Sequence, residues 1–141
     1  MGVKVLIDSG AGTTDISIFR NGVLKYISSL NLGGNNLTND LAICGELPKS
    51  EAENIKCILS PNYETLYNDD SVEDIMEIGT TKVSKKLFYE VITARLDEIF
   101  KYVNADIKNT SFCDGMCSII LYGNGLINYE NINRIISENS K

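Results

Sequence analysis

The first thirty residues alternate between apolar and polar positions in a pattern that predicts three short β-strands. The predicted strands are residues 3–8, 15–20 and 23–30. Asn21-Gly22, between the second and third strands, is typical of a two-residue hairpin turn, because both residues accept the positive φ of a type I′ turn. The three strands are therefore predicted to form an antiparallel meander.

Two short helices are predicted after the meander. The first begins at Asn35 or Asn36 as its cap and is ended by Gly45. The second covers residues 50–59 and opens with the sequence Ser-Glu-Ala-Glu, which is typical of a capping box. In this interpretation Glu53 is the N3 residue of that box, three positions after the cap Ser50.

The second half of the chain predicts a small hairpin, one long helix, one buried strand and a short last helix. Their predicted ranges are residues 75–78 with 82–83, 85–105, 118–122 and 129–137. The long helix is capped by Ser84 and carries apolar residues at helical spacing from Leu87 to Val103. Residues 61–71 and 106–115 are predicted to be loops.

Composition and charge exclude several classes of function. With 141 residues the chain is long enough for one domain with a hydrophobic core. Thirteen basic and 19 acidic residues give a net charge of -6, which has the wrong sign for binding nucleic acid through its phosphates. The sequence has no histidine, so mechanisms that need an imidazole are excluded. No uncharged apolar run is long enough to cross a membrane.

The four cysteines are expected to be reduced thiols. Cys113 and Cys117 are separated by three residues, whereas zinc knuckles typically have two. Cys44 and Cys57 lie in helical patterns, where free thiols are commonly buried. We therefore expect neither disulfides nor a bound metal at these positions, as in cytosolic proteins.

The most informative segment is the turn between the first two strands, residues 8–15, with the sequence Asp-Ser-Gly-Ala-Gly-Thr-Thr-Asp. Two glycines let backbone amides converge without obstruction by a Cβ, and such amides bind phosphate oxygens. Asp8 is placed to hold a magnesium ion through water or to orient an attacking water. There is no Gly-Lys-Ser/Thr and a strand follows, so the turn is neither a P-loop nor a Rossmann turn. The alternative is an ordinary hairpin turn of small polar residues.

This turn resembles the second phosphate loop of the actin, Hsp70 and sugar-kinase superfamily. Four further segments are similar to those that follow this loop in the bacterial cell-division family FtsA, namely residues 21–24, 32–42, 51–56 and 91–99. Residues 118–125 stand where that family has its adenosine motif. The resemblance covers residues 3–137.

The resemblance implies an α/β fold, a ribonuclease H-like lobe of the actin-type ATPases. Its three-stranded antiparallel meander and one further strand would pack with helices, and a small α+β subdomain would be inserted. Residues 1–45 plus 106–141 would form subdomain IIA without its last strand, and residues 46–105 the inserted subdomain IIB. The other lobe, with the first phosphate loop and the FtsA-specific subdomain, and the C-terminal membrane helix are expected to have no counterpart here.

The resemblance also carries functional roles to individual residues. Asp8 is implied as the catalytic residue and as the residue that holds Mg²⁺, through water. The implied phosphate-binding residues are Ser9, Gly10, Ala11, Gly12 and Thr13. The implied adenosine-binding residues are Glu53, Lys56, Gly123 and Asn124. The implied cofactors are therefore ATP and Mg²⁺, although the family prefers glycine where this chain has Asn124.

The implied function is that of a nucleotide-binding lobe of a cell-division protein. In its intact form such a protein would link FtsZ to the inner face of the membrane at the division site and assemble into actin-like filaments. The FtsZ C-terminal tail would bind residues 46–105, and membrane contact would need segments absent here. ATP hydrolysis would be weak in the two-lobed protein and absent from this chain alone. The alternatives are a nucleotide-independent interaction module and a lobe of another actin/Hsp70 protein.

Overall fold

The computed structural model of the chain describes residues 2–59, 74–78, 80–113, 115 and 117–125. The predicted loop at residues 61–71 and the predicted last helix at residues 129–137 lie outside the described residues. All structural statements below refer to the described part of the chain.

Four strands form one mixed sheet. Strands β1 (Val3–Ser9), β2 (Thr14–Arg20) and β3 (Val23–Leu30) form an antiparallel meander, as predicted. The turn between β2 and β3 has positive φ angles of 51° at Asn21 and 80° at Gly22, which confirms the hairpin prediction. A later strand pairs with β1 in parallel on the other side, so that β1 is central and β3 lies at an edge.

Helix α1 (Gly34–Gly45) follows the meander and begins earlier than predicted. Gly33 is the N-cap, and its N–H donates to Oδ1 of Asn36 at 2.8 Å. Asn36 therefore stabilises the helix start from inside the first turn instead of capping it. At the other end Glu46, and not Gly45, has the left-handed conformation, with a φ of 54°.

Helix α2 (Lys49–Leu59) starts before the sequence that was predicted to cap it. The N–H of Ala52 donates to the carbonyl of Pro48 at 3.0 Å, so Ser50 lies within the first turn. The capping-box prediction was therefore wrong. The consequence is that the carboxylate of Glu53 is not used at the start of its own helix.

A small antiparallel hairpin and the longest helix come next. Strands β4 (Ile75–Ile78) and β5 (Thr81–Ser84) confirm the predicted hairpin. Helix α3 (Lys85–Asn109) begins at the predicted cap, since Oγ of Ser84 accepts from the N–H of Leu87 at 3.3 Å. It is one turn longer than predicted, and in that last turn Asp106 accepts hydrogen bonds from Tyr26, at 2.6 Å, and from Ser28 on β3.

The last described strand, β6 (Cys117–Tyr122), runs parallel to β1 at the edge of the sheet. Its apolar sequence predicted a buried strand, but Ile119 and Ile120 are exposed. The prediction of burial was therefore wrong for these two residues, whereas Cys117 and Leu121 are partly buried against the core.

One contiguous hydrophobic core holds the elements together. One face of the sheet supplies fully buried side chains, and so do the helices: Val5, Ile7, Ile16, Ile18, Leu37, Leu41, Ile55, Phe88, Ile92, Leu96, Ile99 and Phe100. Cys44 and Cys57 are exposed, against expectation, because they lie on the sides of α1 and α2 that face away from this core. None of the described helices is long and apolar enough to cross a membrane. The division of the chain at residues 46 and 105 stays a prediction.

Candidate nucleotide site

Three segments of the chain meet at the turn between β1 and β2, residues 9–13, here called the glycine loop. The turn is closed by a hydrogen bond from the N–H of Gly10 to the carbonyl of Thr13 at 2.8 Å. Three backbone hydrogen bonds tie the loop to the other segments: Gly125 to Ser9 at 2.8 Å, Gly34 to Gly10 at 3.0 Å and Asn35 to Ala11 at 2.8 Å, with the loop carbonyls accepting. The carbonyl side of the loop is thus held by the protein.

Close contact between backbones makes glycine necessary in the two neighbouring segments. A Cβ on Gly33 would lie 2.5 Å from the carbonyl oxygen of Gly10, and a Cβ on Gly125 would overlap the same atom. Real Cβ atoms do not come this close to backbone oxygens, so a side chain at either position would push the segments apart. The three segments therefore form one rigid junction, here called the glycine junction.

The opposite side of the glycine loop is open. Gly10 and Gly12 have no positive φ, and a Cβ on Gly12 would meet nothing within 4 Å. Ala11 and Gly12 are exposed, and within the described chain their N–H groups have no protein acceptor. The fold itself thus does not require glycine at position 12. The free space and the unpaired amides form a cradle of the kind that binds phosphate oxygens.

Asp8 lies beside the glycine loop at the end of β1. It is half-buried and stands opposite Asp15 and Tyr122 in the strand register. A Cβ on Gly123 would lie 2.6 Å from Oδ1 of Asp8, and Gly123 has a φ of 99° that L side chains rarely adopt. The carboxylate therefore lies where the glycine loop and the turn after β6 meet. An oxygen ligand at this place suits Mg²⁺.

Two hydroxyl groups near the loop have structural partners. Ser9 is buried, and its hydroxyl donates to the carbonyl of Tyr122 at 3.3 Å. The hydroxyl of Thr14 donates to the carbonyl of Leu32 at 2.8 Å. Ser9 thus points to the β6 side, away from the open side of the loop, whereas Thr13 is half-exposed.

Glu53 and Lys56 lie next to the glycine junction. Lys56 Nζ lies 3.0 Å from Oε2 of Glu53 and donates to the carbonyl of Gly34 at 3.3 Å. Thr38 on α1 donates to the same carboxylate oxygen at 2.5 Å. The side chain of Lys56 is only 12% exposed and that of Glu53 is 49% exposed. These two of the four predicted adenosine residues are therefore held against the first turns of α1.

A polar groove lies between α1 and α2 beside these residues. Its volume is about 460 Å³, and it is lined by Asn35, Thr38, Asn39, Lys49, Ser50 and Glu53. The sequence reasoning missed the contribution of α1. The signal was present, because Asn35, Thr38 and Asn39 follow the i, i+3, i+4 spacing of one helix face. Asn124, by contrast, is exposed at the turn after β6.

Hydrogen bonding holds the pKa of Glu53 below its ordinary value of 4.5. The largest cause is the hydroxyl of Thr38; burial opposes it, and Lys56 adds a hydrogen bond and a positive charge. Because the folded-state pKa is the lower one, this contribution to stability is fully present above pH 4.5 and is lost as the pH falls through the folded-state pKa. Glu53 is thus an ionised acceptor at neutral pH.

Replacing Thr38 by valine is expected to raise the pKa of Glu53 toward its ordinary value, because the strongest hydrogen bond to the carboxylate is removed. Lys56→Met is expected to raise it as well, because a hydrogen bond and a positive charge are lost. A ¹³C NMR titration of the Glu53 carboxyl over roughly pH 2 to 7 measures both shifts. An unchanged pKa in Thr38→Val would contradict the hydroxyl of Thr38 as the largest cause.

Solved structures identify the class of fold. The archaeal actin homolog Ta0583 superposes with a TM-score of 0.64 and 17% identity, over 99% of this chain and 41% of that chain. MreB 5 of Spiroplasma citri, bound to AMPPNP, superposes with a TM-score of 0.71 and 21% identity, over 97% of this chain and 45% of that chain. The protein is therefore an α/β lobe of the actin-like ATPase fold, as predicted.

The sequence identifies the family within this class. Residues 5–139 match the family Cell division protein FtsA. FtsA of Bacillus subtilis (strain 168) is 32% identical over 123 residues, which are 84% of this chain and 28% of that protein. The chain belongs to the FtsA family, which confirms the resemblance seen in the sequence. It spans less than a third of the length of this relative.

Proposed function

We propose that this FtsA-family lobe binds a nucleoside triphosphate together with Mg²⁺. The observation that carries the proposal is the cradle at the glycine loop. Two exposed residues there, Ala11 and Gly12, present unpaired amides. The space above Gly12 is free, although the fold does not require a glycine at this position. Backbone amides arranged in this way bind the oxygens of phosphate groups.

The free amides of the glycine loop would bind the phosphates. Helix α1 begins at Gly34 against the carbonyl side of the loop, opposite the cradle, and its first N–H groups donate to the carbonyls of Gly10 and Ala11. The described chain offers only one lysine at the junction, Lys56, and it is paired with Glu53. The amides of the loop and a bound Mg²⁺ would therefore balance most of the phosphate charge.

Asp8 fits the role of the magnesium residue. Its carboxylate lies beside the loop, and oxygen ligands are those that Mg²⁺ prefers. Asp8 would hold the ion through water, and the ion would neutralise charge on the phosphates. The same carboxylate could orient a water molecule near them. The other predicted phosphate residues, Ser9 and Thr13, would then support the loop more than contact the ligand.

The groove between α1 and α2 would receive the nucleoside. Its acceptors and donors are the ionised Glu53, Thr38 and the amide side chains of Asn35 and Asn39. Groups of both kinds suit the hydroxyls of a ribose and the edge of a base. Gly123 and Asn124, in the turn after β6, would close the site from the other side.

In the whole protein, this lobe would serve cell division. By its family we propose that the intact protein links FtsZ to the membrane at the division site, with the FtsZ tail on residues 46–105, and assembles into filaments. The chain covers a minor part of its relatives, so these activities belong to the whole protein. Hydrolysis by this lobe alone would be weak or absent, because part of the catalytic constellation would come from the other lobe.

A titration with Mg-ATP followed by amide NMR tests the nucleotide proposal. We expect shifts clustered at residues 8–13, 33–39, 53–56 and 123–125. Inorganic tripolyphosphate with Mg²⁺ is the matched ligand, and it should shift the glycine loop without shifting α2. No shifts at millimolar Mg-ATP, or shifts away from these segments, would favour the nucleotide-independent interaction module instead.

A titration with a peptide of the FtsZ C-terminal tail tests the proposed FtsZ binding separately from nucleotide binding. Shifts within residues 46–105 that persist when nucleotide is absent would support FtsZ binding. Shifts confined to the sheet, or none, would contradict it. Only residues 53–56 belong to both sets. Shifts in the glycine loop and shifts in residues 57–105 therefore distinguish the two titrations, and one proposal can fail while the other stands.

A further inference from the structure

The two carboxylate oxygens of Glu53 have different surroundings. Oε2 accepts a hydrogen bond from the hydroxyl of Thr38 at 2.5 Å and lies 3.0 Å from Nζ of Lys56. Oε1 is contacted by the thiol of Cys57, whose Sγ lies 3.8 Å away. A carboxylate offers about four lone-pair positions on its two oxygens, and a thiol is a weak donor. Oε2 is therefore fully used by protein donors, whereas Oε1 keeps room for a stronger donor.

The hydroxyl of Thr38 donates across the groove to the neighbouring helix. Threonine within a helix commonly donates to the carbonyl four residues earlier. For Thr38 that carbonyl belongs to Gly34, at 3.3 Å, whereas Oε2 of Glu53 is closer, at 2.5 Å. The hydroxyl has one hydrogen, and Thr38 is only 6% exposed. Thr38 therefore has no hydrogen left for a ligand in the groove and acts on such a ligand through Glu53.

Lys56 alone does not fix the orientation of this carboxylate. An ammonium group is a compact charge, which pairs with either carboxylate oxygen. The side chain of Glu53 is 49% exposed and lines the groove, so it has space to rotate. The branched Cβ of threonine restricts its χ1 angle, so the buried hydroxyl of Thr38 has a defined position on α1. The hydrogen bond from Thr38 is therefore the contact that holds Oε2 toward α1.

We propose that Thr38 is a positioning residue of the groove: it holds Oε2 of Glu53 against α1, so that Oε1 stays open for a hydroxyl of a bound ribose. This inference rests on the proposed nucleotide binding. A ribose hydroxyl can donate, and an ionised carboxylate only accepts, so the two groups are complementary. A carboxylate that is already fixed loses less conformational freedom on binding than a mobile one. Thr38 thus increases the affinity for the nucleoside without contacting it.

Replacing Thr38 by valine removes the hydroxyl and keeps the shape of the side chain. The Kd for Mg-ATP, measured by isothermal titration calorimetry on the full chain, is expected to rise about fivefold. Thr93→Val on α3 is the matched control, because the hydroxyl of Thr93 is buried and has no hydrogen-bond partner in the described part of the chain. This control should leave the Kd unchanged. Far-UV circular dichroism checks that both variants are folded.

A second ligand tests whether the ribose hydroxyls receive this effect. Mg-2′,3′-dideoxy-ATP keeps the base and the triphosphate but lacks both hydroxyls. The wild type is expected to bind it more weakly than Mg-ATP, and Thr38→Val should bind it as well as the wild type does. An equal loss with both ligands would show that Thr38 supports the groove as a whole, and would overturn the positioning role.

A double-variant cycle tests whether Thr38 acts through Glu53. Glu53→Ala is expected to raise the Kd for Mg-ATP about tenfold. Combining it with Thr38→Val should cause no further loss, because no carboxylate is left to position. Thr38→Ser keeps the hydroxyl and should bind within about twofold of the wild type. Additive losses in the double variant, or binding by Thr38→Ser as weak as by Thr38→Val, would contradict the proposal.

The outcomes separate this inference from the nucleotide proposal on which it rests. If the wild type does not bind Mg-ATP up to roughly 1 mM, both are overturned. If the wild type binds and Glu53→Ala weakens binding, but Thr38→Val does not, the nucleotide proposal stands and the role of Thr38 is overturned. Should Thr38→Val not fold, Thr38→Ala, which also lacks the hydroxyl, takes its place. Should Glu53→Ala not fold, the comparison of the two ligands decides.

Discussion

Replacing Gly12 by valine is expected to weaken nucleotide binding strongly while leaving the stability of the fold nearly unchanged. A Cβ at this position meets no protein atom within 4 Å, and the backbone there does not have a positive φ. The free energy of unfolding should therefore change by less than about 0.5 kcal/mol. The valine side chain would occupy the cradle over the amides of Ala11 and Gly12, where phosphate oxygens would lie. The Kd for Mg-ATP should rise at least about tenfold.

Gly115 is the matched control for this experiment. It lies before β6, and a Cβ on it also meets nothing within 4 Å. Gly115→Val should leave both the Kd for Mg-ATP and the melting temperature unchanged. Gly12→Ala should weaken binding less than Gly12→Val, because a methyl group fills less of the cradle. Equal affinities of Gly12→Val and the wild type would show that the cradle is not a phosphate site.

Much of the secondary structure could be predicted from the sequence, because it depends on residues close together in the chain. The Asn21-Gly22 turn, the hairpin around residue 80 and the stripe of the long helix are local signals, and the structure confirms them. Local signals gave a wrong prediction where tertiary contacts determine the burial of a strand. The apolar sequence of β6 predicts a buried strand, yet Ile119 and Ile120 are exposed in the described part of the chain, because burial depends on which elements cover the strand and not on its own sequence.

The candidate site shows the same limit at the level of single residues. Glu53 reads as part of a capping box, but its carboxylate accepts from Thr38, 15 residues earlier in the chain. A contact across two helices has no local signature, so only the family resemblance connected Glu53 with the site. The glycine loop was predictable, since its two glycines and its carboxylate are adjacent. The approach of Gly33 and Gly125 to that loop was not predictable from spacing.

Replacing Gly125 by alanine is expected to destabilise the whole lobe, in contrast to the effect at Gly12. The added Cβ would overlap the carbonyl of Gly10, and that carbonyl is also held by the N–H of Gly34. Neither atom can move away cheaply, because both belong to the backbone of the glycine junction. We expect a loss of about 3 kcal/mol in the free energy of unfolding, typical of overpacking that shifts backbone. For a domain of this size that corresponds to a fall in Tm of roughly 10 °C.

Gly115→Ala separates this effect from a general cost of adding a methyl group to a loop. It has open space around its Cβ, so its Tm should equal that of the wild type or rise slightly through a smaller unfolded-state entropy. Thermal and urea unfolding followed by circular dichroism measure both variants. If Gly125→Ala is as stable as Gly115→Ala, the three segments do not pack as closely as described. The glycine loop would then be less constrained than described, and a loose loop would not hold its amides toward a phosphate ligand.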